Sequence, residues 1–80
     1  MGRRLRAIPW EQSADELYDR HRQETDLTRR KRLQVLWLVR DGTTATDAAR
    51  QAGVGLRSVM RWLDWYRATG LEAVLERVPG

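Results

Sequence analysis

Four alanines and a glycine between positions 45 and 53 constrain the fold of this chain more than any other feature of its sequence. The alanines recur with helical spacing, at Ala45, Ala48, Ala49 and Ala52. Thr44 is placed to cap this short helix, and Gly53 permits a left-handed turn residue directly after it. Small side chains on the buried face let a neighbouring helix backbone approach closely. The segment therefore predicts a short helix packed tightly against the helix that follows the turn.

The helix after the turn is predicted to begin near Leu56 and to end at about Thr69, before the helix-stopping Gly70. At 100° per residue, its inner side collects the apolar residues Val59, Trp62, Leu63 and Tyr66. Its opposite side presents Arg57 and Arg61. The pattern indicates an amphipathic helix that buries one face and exposes a basic one.

Two helices are predicted ahead of this pair. Ser13 and Glu16 have the spacing of a capping box, so a helix begins there and runs to about Glu24. Its packing stripe consists of Ala14, Leu17, Tyr18 and His21.

The second of these helices is longer and runs from about Leu27 to Asp41, where Gly42 is placed to stop it. It is apolar on two faces, which carry Leu33, Leu36 and Trp37 on one side and Leu27, Val35, Leu38 and Val39 on the other. We expect it to be packed on both sides, by the helix before it and by the helices after it. A short helical turn that returns to the core is predicted near the end of the chain, at Leu71, Val74 and Leu75.

The chain has 80 residues and no cysteine, so it has room for one domain that packed apolar side chains must stabilise. No apolar run approaches the length of a membrane helix, and the basic N-terminus lacks the apolar stretch of a secretion signal. We therefore expect a cytoplasmic, nucleoid-associated protein with no membrane partner. The predicted boundaries are a basic, flexible N-terminal arm at 1–12, one helical domain at 13–76 and a tail or linker at 77–80.

The net charge of +4 is unevenly distributed. Residues 27–40 contain four arginines and Lys31 with no acid, whereas residues 13–26 carry five acids against two arginines. The basic run at 29–32 has two interpretations, a solvated helix face or a set of phosphate contacts.

Three stretches of the sequence resemble the N-terminal helix-turn-helix of mariner-like bacterial insertion-sequence transposases and of small proteins related to them. They are Asp47-Ala-Ala-Arg-Gln-Ala-Gly-Val54, Ser58-Val-Met-Arg-Trp-Leu-Asp-Trp-Tyr-Arg67 and Gly70-Leu-Glu-Ala-Val-Leu75. The resemblance covers about residues 29–80, and residues 76–80 are similar to the linker that leads to the catalytic domain in such transposases. Where the family usually has a Ser or Thr that caps the recognition helix, this chain has Gly55.

The resemblance implies an all-α fold with a three-helix, homeodomain-like helix-turn-helix core, formed by segments 27–41, 44–52 and 56–69. An extra N-terminal helix and a short C-terminal helical turn complete this fold. The carboxylate-based nuclease domain of the transposases has no counterpart in these 80 residues, so we expect no catalysis from this chain.

The resemblance also assigns candidate contacts with double-stranded DNA. The base-contacting positions on helix 56–69 are Arg57, Ser58, Met60 and Arg61. The candidates for contact with the DNA backbone are Thr43, Thr44, Thr46, Arg50, Arg67, Arg29, Arg30 and Lys31, with Arg32 in the same basic run. The N-terminal arginines are either a minor-groove arm or a solubilising tail, and they are Arg3, Arg4 and Arg6.

The leading hypothesis is sequence-specific binding of double-stranded DNA through helix 56–69 in the major groove, by a small transcriptional regulator or a transposase-type recognition module. The alternative is a protein-interaction module, or an accessory regulator without direct DNA readout, that uses Trp10, Trp65 and the acidic segment 13–26. A further possibility is that the chain is the recognition fragment of a longer transposase. One recognition helix spans about 4–6 base pairs, so a homodimer is favoured for tight specificity.

No cofactor, metal or small-molecule substrate is expected. His21 has no Cys, second His or cluster of carboxylates at metal-ligand spacing, and it is interpreted as part of a packing stripe. Trp37 and Trp62 are both expected in the core. Trp10 and Trp65 could cover each other, and if neither were covered, an exposed aromatic residue would indicate a protein partner.

Overall fold

The computed structural model describes residues 8–77, which form five α-helices and, within that range, no β-strand. The helices are α1 (Ala14–Gln23), α2 (Leu27–Arg40), α3 (Ala45–Ala52), α4 (Leu56–Thr69) and α5 (Leu71–Glu76). The predicted all-α architecture is confirmed, including the extra N-terminal helix and the short C-terminal one. Over the same residues, no helix is both long and apolar enough to cross a membrane.

Side chains cap the first three helices. Ser13 and Glu16 form the predicted capping box, with the Glu16 N–H donating to Ser13 Oγ at 3.1 Å and the Ser13 N–H donating to Glu16 Oε1 at 2.8 Å. Thr44 caps α3 as predicted, because its Oγ1 accepts from the N–H of Asp47 at 3.1 Å. Asp26, for which no cap was predicted, caps α2 by accepting the backbone N–H of Arg29 at 2.9 Å.

Two glycines fix the ends of the helix-turn-helix pair. Gly53 follows α3 in the left-handed conformation, with φ 71° and ψ 35°, and the Val54 N–H then donates to the carbonyl of Ala49 at 3.0 Å. Gly70 is the single residue between α4 and α5, with φ 90° and ψ −173°. Because essentially only glycine adopts this last conformation, Gly70 allows α5 to begin immediately after α4 ends.

Helix α2 is the centre of the fold, since it packs against every other helix. The core that surrounds it includes the predicted alanine face of α3 and the inner side of α4, with Val59 and Leu63 fully buried. The expectation for Trp62 is confirmed, because only 8% of it is exposed.

Two apolar residues of α2 are less buried than predicted. Leu27 is 73% exposed, because it opens the helix more than one turn before the first buried position. Trp37 is only half-buried at the surface shared with α1, where its ring lies 4.8 Å from the Tyr18 ring and 6.0 Å from that of His21.

The segment before α1 is docked on the helices. Ile8 and Trp10 pack against the core, and the Trp10 ring centroid lies 4.9 Å from that of Tyr66. The buried Tyr66 hydroxyl accepts from the Glu11 N–H at 2.8 Å and donates to Gln12 Oε1 at 2.5 Å. Ile8, Trp10, Glu11 and Gln12, which belong to the segment predicted as a flexible arm, are therefore docked on the helices. Arg3, Arg4 and Arg6 lie outside the described residues.

Arg32 occupies an unexpected position, because it is 3% exposed. Its Nη1 donates to the carbonyl oxygens of Val74 at 2.8 Å and Arg77 at 2.6 Å, at the end of α5. Its guanidinium carbon lies 5.6 Å from the Trp62 ring centroid and 5.4 Å from that of Trp65. The expectation that Arg32 contributes to a phosphate-binding run is therefore wrong, since the side chain is buried and its Nη1 donates to carbonyl groups of the chain itself.

Substituting Arg32→Ala should lower the free energy of unfolding by about 2–3 kcal/mol, because two carbonyls lose a charged donor and two tryptophans lose a covering group. Lys31→Ala is the matched control, since Lys31 is the exposed neighbour in the same helix. It should change the unfolding free energy by less than about 0.5 kcal/mol. Urea denaturation measures both, and equal effects of the two substitutions would contradict the assigned role of Arg32.

Stability should also depend on pH through His21. Burial, and then the positive charge of Arg30, lower the pKa of His21 below its ordinary 6.5. The unfolded chain then binds a proton more readily than the folded one, so the stability gained from neutral His21 is present above about pH 6.5 and lost as the pH falls below it. In urea denaturation at pH 7.5 and 5.5, His21→Gln should show a smaller decrease between the two pH values than the unsubstituted chain. An unchanged decrease would assign the pH dependence to other groups.

Candidate nucleic-acid interface

Helices α3 and α4 form a compact pair joined by the three residues Gly53-Val54-Gly55. Ala45, Ala48, Ala49 and Ala52 are all buried, so the face of α3 toward the core carries no side chain larger than a methyl group. Val54 is half-buried and packs on the core from within the turn. With α2 packed against both members of the pair, the arrangement is a three-helix unit in which α3 braces α4 and leaves the outer face of α4 exposed.

The outer face of α4 carries cations without internal partners. Arg57 and Arg61 are exposed and lie one helical turn apart, which separates them by about 6 Å along the helix axis. The nearest acid in sequence, Asp64, pairs instead with Arg67, with Oδ1 and Nη1 2.7 Å apart. Within residues 8–77, neither Arg57 nor Arg61 takes part in an ion pair. Both guanidinium groups are therefore available to an external acceptor.

The other two positions predicted to contact bases differ in accessibility. Met60 is 36% exposed and lies beside Arg61 on the outer side of the helix. Ser58 is half-buried.

The threonines at the start of α3 provide a polar edge next to the turn. Thr46 and Thr44 are exposed, and the Thr44 hydroxyl accepts from the backbone while its own proton remains able to donate. Thr43 is half-buried, and its N–H donates to the carbonyl of Leu38 at 2.9 Å. The hydroxyl of Thr43, but not its backbone N–H, is thus left for an external ligand.

The remaining basic candidates fall into two groups. Arg50 is exposed, although it pairs with Asp47 at 3.4 Å, and Arg29, Arg30 and Lys31 are exposed on the first turns of α2. The positive charge of Arg30 also acts on His21, whose pKa it lowers together with burial. Arg67 has a side chain only 15% exposed and already paired with Asp64.

The tryptophans of the alternative interaction surface are both covered from within the chain, but not by each other. The Arg40 guanidinium lies over Trp10 at 5.9 Å, on a ring that also packs against Tyr66. Trp65 is covered by Arg77 at 4.8 Å and by Arg32.

Metal-binding geometry is not found in the part of the chain that the structure describes. No group of three or more His, Cys, Asp or Glu residues there is arranged to hold a metal ion. His21 lies against the aromatic rings of Tyr18 and Trp37.

Sequence reasoning missed the roles of Arg32 and of the Tyr66 hydroxyl. For Arg32 a signal existed, because Val35 and Leu36 lie three and four residues further on and are buried on the same side of α2. For Tyr66 none existed, since its partners Glu11 and Gln12 are more than fifty positions away in sequence.

The first turn of α4 has no side-chain cap, because Gly55 precedes it with φ −75° and ψ 152°. These angles suit any residue, and a Cβ at position 55 would meet nothing within 4 Å. Gly55→Ser should therefore raise the free energy of unfolding by about 0.3–1 kcal/mol, by adding a capping hydroxyl and by reducing the entropy of the unfolded chain. Gly55→Ala lacks the hydroxyl and is the control. If urea denaturation gave the two variants the same free energy of unfolding, the capping hydroxyl would contribute nothing to stability.

Comparison with known proteins identifies the family to which this helical arrangement belongs. A protein-family model described as a homeodomain-like domain, of a helix-turn-helix family found in transposases, matches residues 26–75. The match includes all of α2, α3 and α4, and it leaves out α1 and the docked segment before it. No curated protein and no solved structure matches the chain. This helix-turn-helix is a DNA-binding fold, and since the match spans more than half of the sequence, the chain belongs to the homeodomain-like helix-turn-helix family.

Proposed function

We propose that this protein binds double-stranded DNA in a sequence-specific manner by placing α4 in the major groove. The observation that carries the proposal is the pair of exposed arginines on the outer side of α4, Arg57 and Arg61, neither of which is neutralised by an acid within the described residues. A small transcriptional regulator or a transposase-type recognition module would use such a helix in the same way.

Arginine suits base recognition because its planar guanidinium can donate two hydrogen bonds to O6 and N7 of guanine. Arg57 and Arg61 lie about 6 Å apart along the helix axis, close to the rise of two base-pair steps at 3.4 Å each. We therefore propose that they contact two guanines separated by about two base-pair steps. Ser58 and Met60 would lie against neighbouring base edges, with the half-buried Ser58 closer to the wall of the groove.

Contacts with the DNA backbone would fix the orientation of α4. Thr44 and Thr46, with the hydroxyl of Thr43, lie at the start of the bracing helix, where backbone N–H groups and the helix dipole also favour a phosphate. Arg50 and the α2 cations Arg29, Arg30 and Lys31 extend this basic surface. Arg67 ranks below them because its charge is paired and largely covered.

A homodimer and a basic arm would add to the recognition. One helix reads about 4–6 base pairs, so two copies on adjacent half-sites would supply the specificity that one copy lacks. Arg3, Arg4 and Arg6 are proposed to contact the minor groove.

DNA is favoured over a protein partner by the surface that remains available. Trp10 and Trp65, the aromatic residues on which a protein-interaction surface would depend, are half-buried and already contact Tyr66 and Arg77 within the chain. Exposed positive charge without an ion pair among the described residues lies instead on α4, at Arg57 and Arg61, and on the first turns of α2.

The test is binding of the full chain to random-sequence duplex DNA at about 50 and 200 mM salt, followed by selection of the bound sequences. The double substitution Arg57→Ala, Arg61→Ala should weaken binding to the selected duplex by at least about 30-fold and should relax its guanine preference. Arg20→Ala, Arg22→Ala on α1 removes the same charge from another surface and is the control. It should weaken binding much less.

Two outcomes would count against the proposal. Equal losses from the two double substitutions, without an enriched motif, would indicate a basic surface with general affinity for DNA. Absence of binding at about 50 mM salt would overturn DNA recognition altogether and favour a protein partner.

A further inference from the structure

Two apolar side chains are exposed on the helix that carries the free arginines. Over the described residues, the large hydrophobic side chains with the greatest exposure are Tyr18, Leu27, Leu56 and Met60, at 40%, 73%, 45% and 36%. Leu56 and Met60 both belong to α4 and lie one helical turn apart, so their side chains share one side of the helix. They form a small apolar patch, which we call the Leu56–Met60 patch.

The patch borders the core-facing side of α4, since at about 100° per residue Leu56 lies about 20° and Met60 about 60° from the buried Leu63. The residues that α4 buries, Val59, Trp62, Leu63 and Tyr66, are at most 8% exposed. Each residue of the patch directly precedes one of the free arginines, Leu56 before Arg57 and Met60 before Arg61. A helix face that only attracted phosphate would gain nothing from two half-exposed apolar side chains at these positions.

The major groove of DNA displays two features that match this mixed face. Guanine offers the acceptors O6 and N7, and thymine offers an apolar methyl group on C5. Cytosine carries the same methyl group when it is modified to 5-methylcytosine. An arginine paired with an apolar neighbour, repeated one turn later, is complementary to guanines that lie next to 5-methylpyrimidines.

We infer that the Leu56–Met60 patch contacts the 5-methyl groups of pyrimidines in the major groove and thereby contributes to the choice of DNA sequence. This inference rests on the proposed function. The bound site is then expected to hold guanines and 5-methylpyrimidines within about three or four consecutive base pairs, because Leu56 to Arg61 spans about 7.5 Å along the helix axis.

The experiment compares duplexes that differ only in methyl groups. Starting from a duplex selected by the full chain, each thymine of the motif is replaced by deoxyuridine, which removes the C5 methyl group and leaves base pairing unchanged. Each contacted methyl group that is lost should weaken binding by about three- to tenfold. Methylating the cytosines of the same motif tests 5-methylcytosine as the source of the group, and tighter binding would show that it contributes.

The double substitution Leu56→Ala, Met60→Ala connects any such effect to the patch. It should weaken binding to the thymine duplex and should bind the thymine and uracil duplexes equally well. Both residues are partly exposed and alanine favours helices, so the fold should persist, which circular dichroism checks. Leu27→Ala, on the exposed start of α2, is the control and should retain the full response to uracil.

The possible outcomes distinguish a failure of the methyl-group contact from a failure of DNA binding itself. If no DNA motif is selected, the proposed function fails. If a motif is selected but neither uracil nor cytosine methylation changes affinity, only the inference fails. A uracil effect that persists in the Leu56→Ala, Met60→Ala protein would overturn the role of the patch, and self-association lost in that variant without a methyl effect would assign the patch to a second copy of the chain.

Discussion

The small side chains on the alanine face of α3 determine how α4 is presented. Because no buried side chain on that face is larger than a methyl group, the larger core side chains of the neighbouring helices can pack directly against α3. Gly53 then reverses the chain in a conformation that other residues adopt at a cost, and Val54 anchors the turn in the core. A larger residue at Ala48 or a different turn would tilt α4 and change every contact that its outer face makes.

Much of the fold follows from short-range rules that act within a few residues. The capping box at Ser13, the cap at Thr44 and the turn at Gly53 depend on hydrogen bonds and backbone angles that the local sequence decides, and all three agree with prediction. The position of Leu27 differs because periodicity identifies the side of a helix but not how far along that side the neighbouring helices extend. Leu27 is 73% exposed because it precedes the part of α2 that packs against the other helices.

The sequence predicted which face of α4 is exposed, but not which of the arginines are free of internal partners. Helical spacing identified Arg57 and Arg61 as outward-facing residues. Their freedom from ion pairs depends on Asp64 pairing with Arg67, and the side-chain rotamers that form this pair cannot be predicted from the sequence. Arg32 shows the same limit more clearly. It counts as one of five positive charges in segment 27–40, yet it contributes to the interior and not to the surface field. The number of positive charges in a sequence segment exceeds the number on the surface wherever an arginine is buried by hydrogen bonds to carbonyl groups and by contact with aromatic rings.

The bond between the Tyr66 hydroxyl and the segment before α1 limits how far the N-terminal arginines can reach. Since Ile8 is packed against the core, the chain ahead of it starts from a point that is fixed relative to α4. An extended chain covers at most about 3.3–3.6 Å per residue, so Arg3 lies no more than about 18 Å from Ile8. That is about half of one 34 Å turn of the double helix. The docking of Trp10 and its neighbours therefore sets the point from which the reach of Arg3, Arg4 and Arg6 is measured.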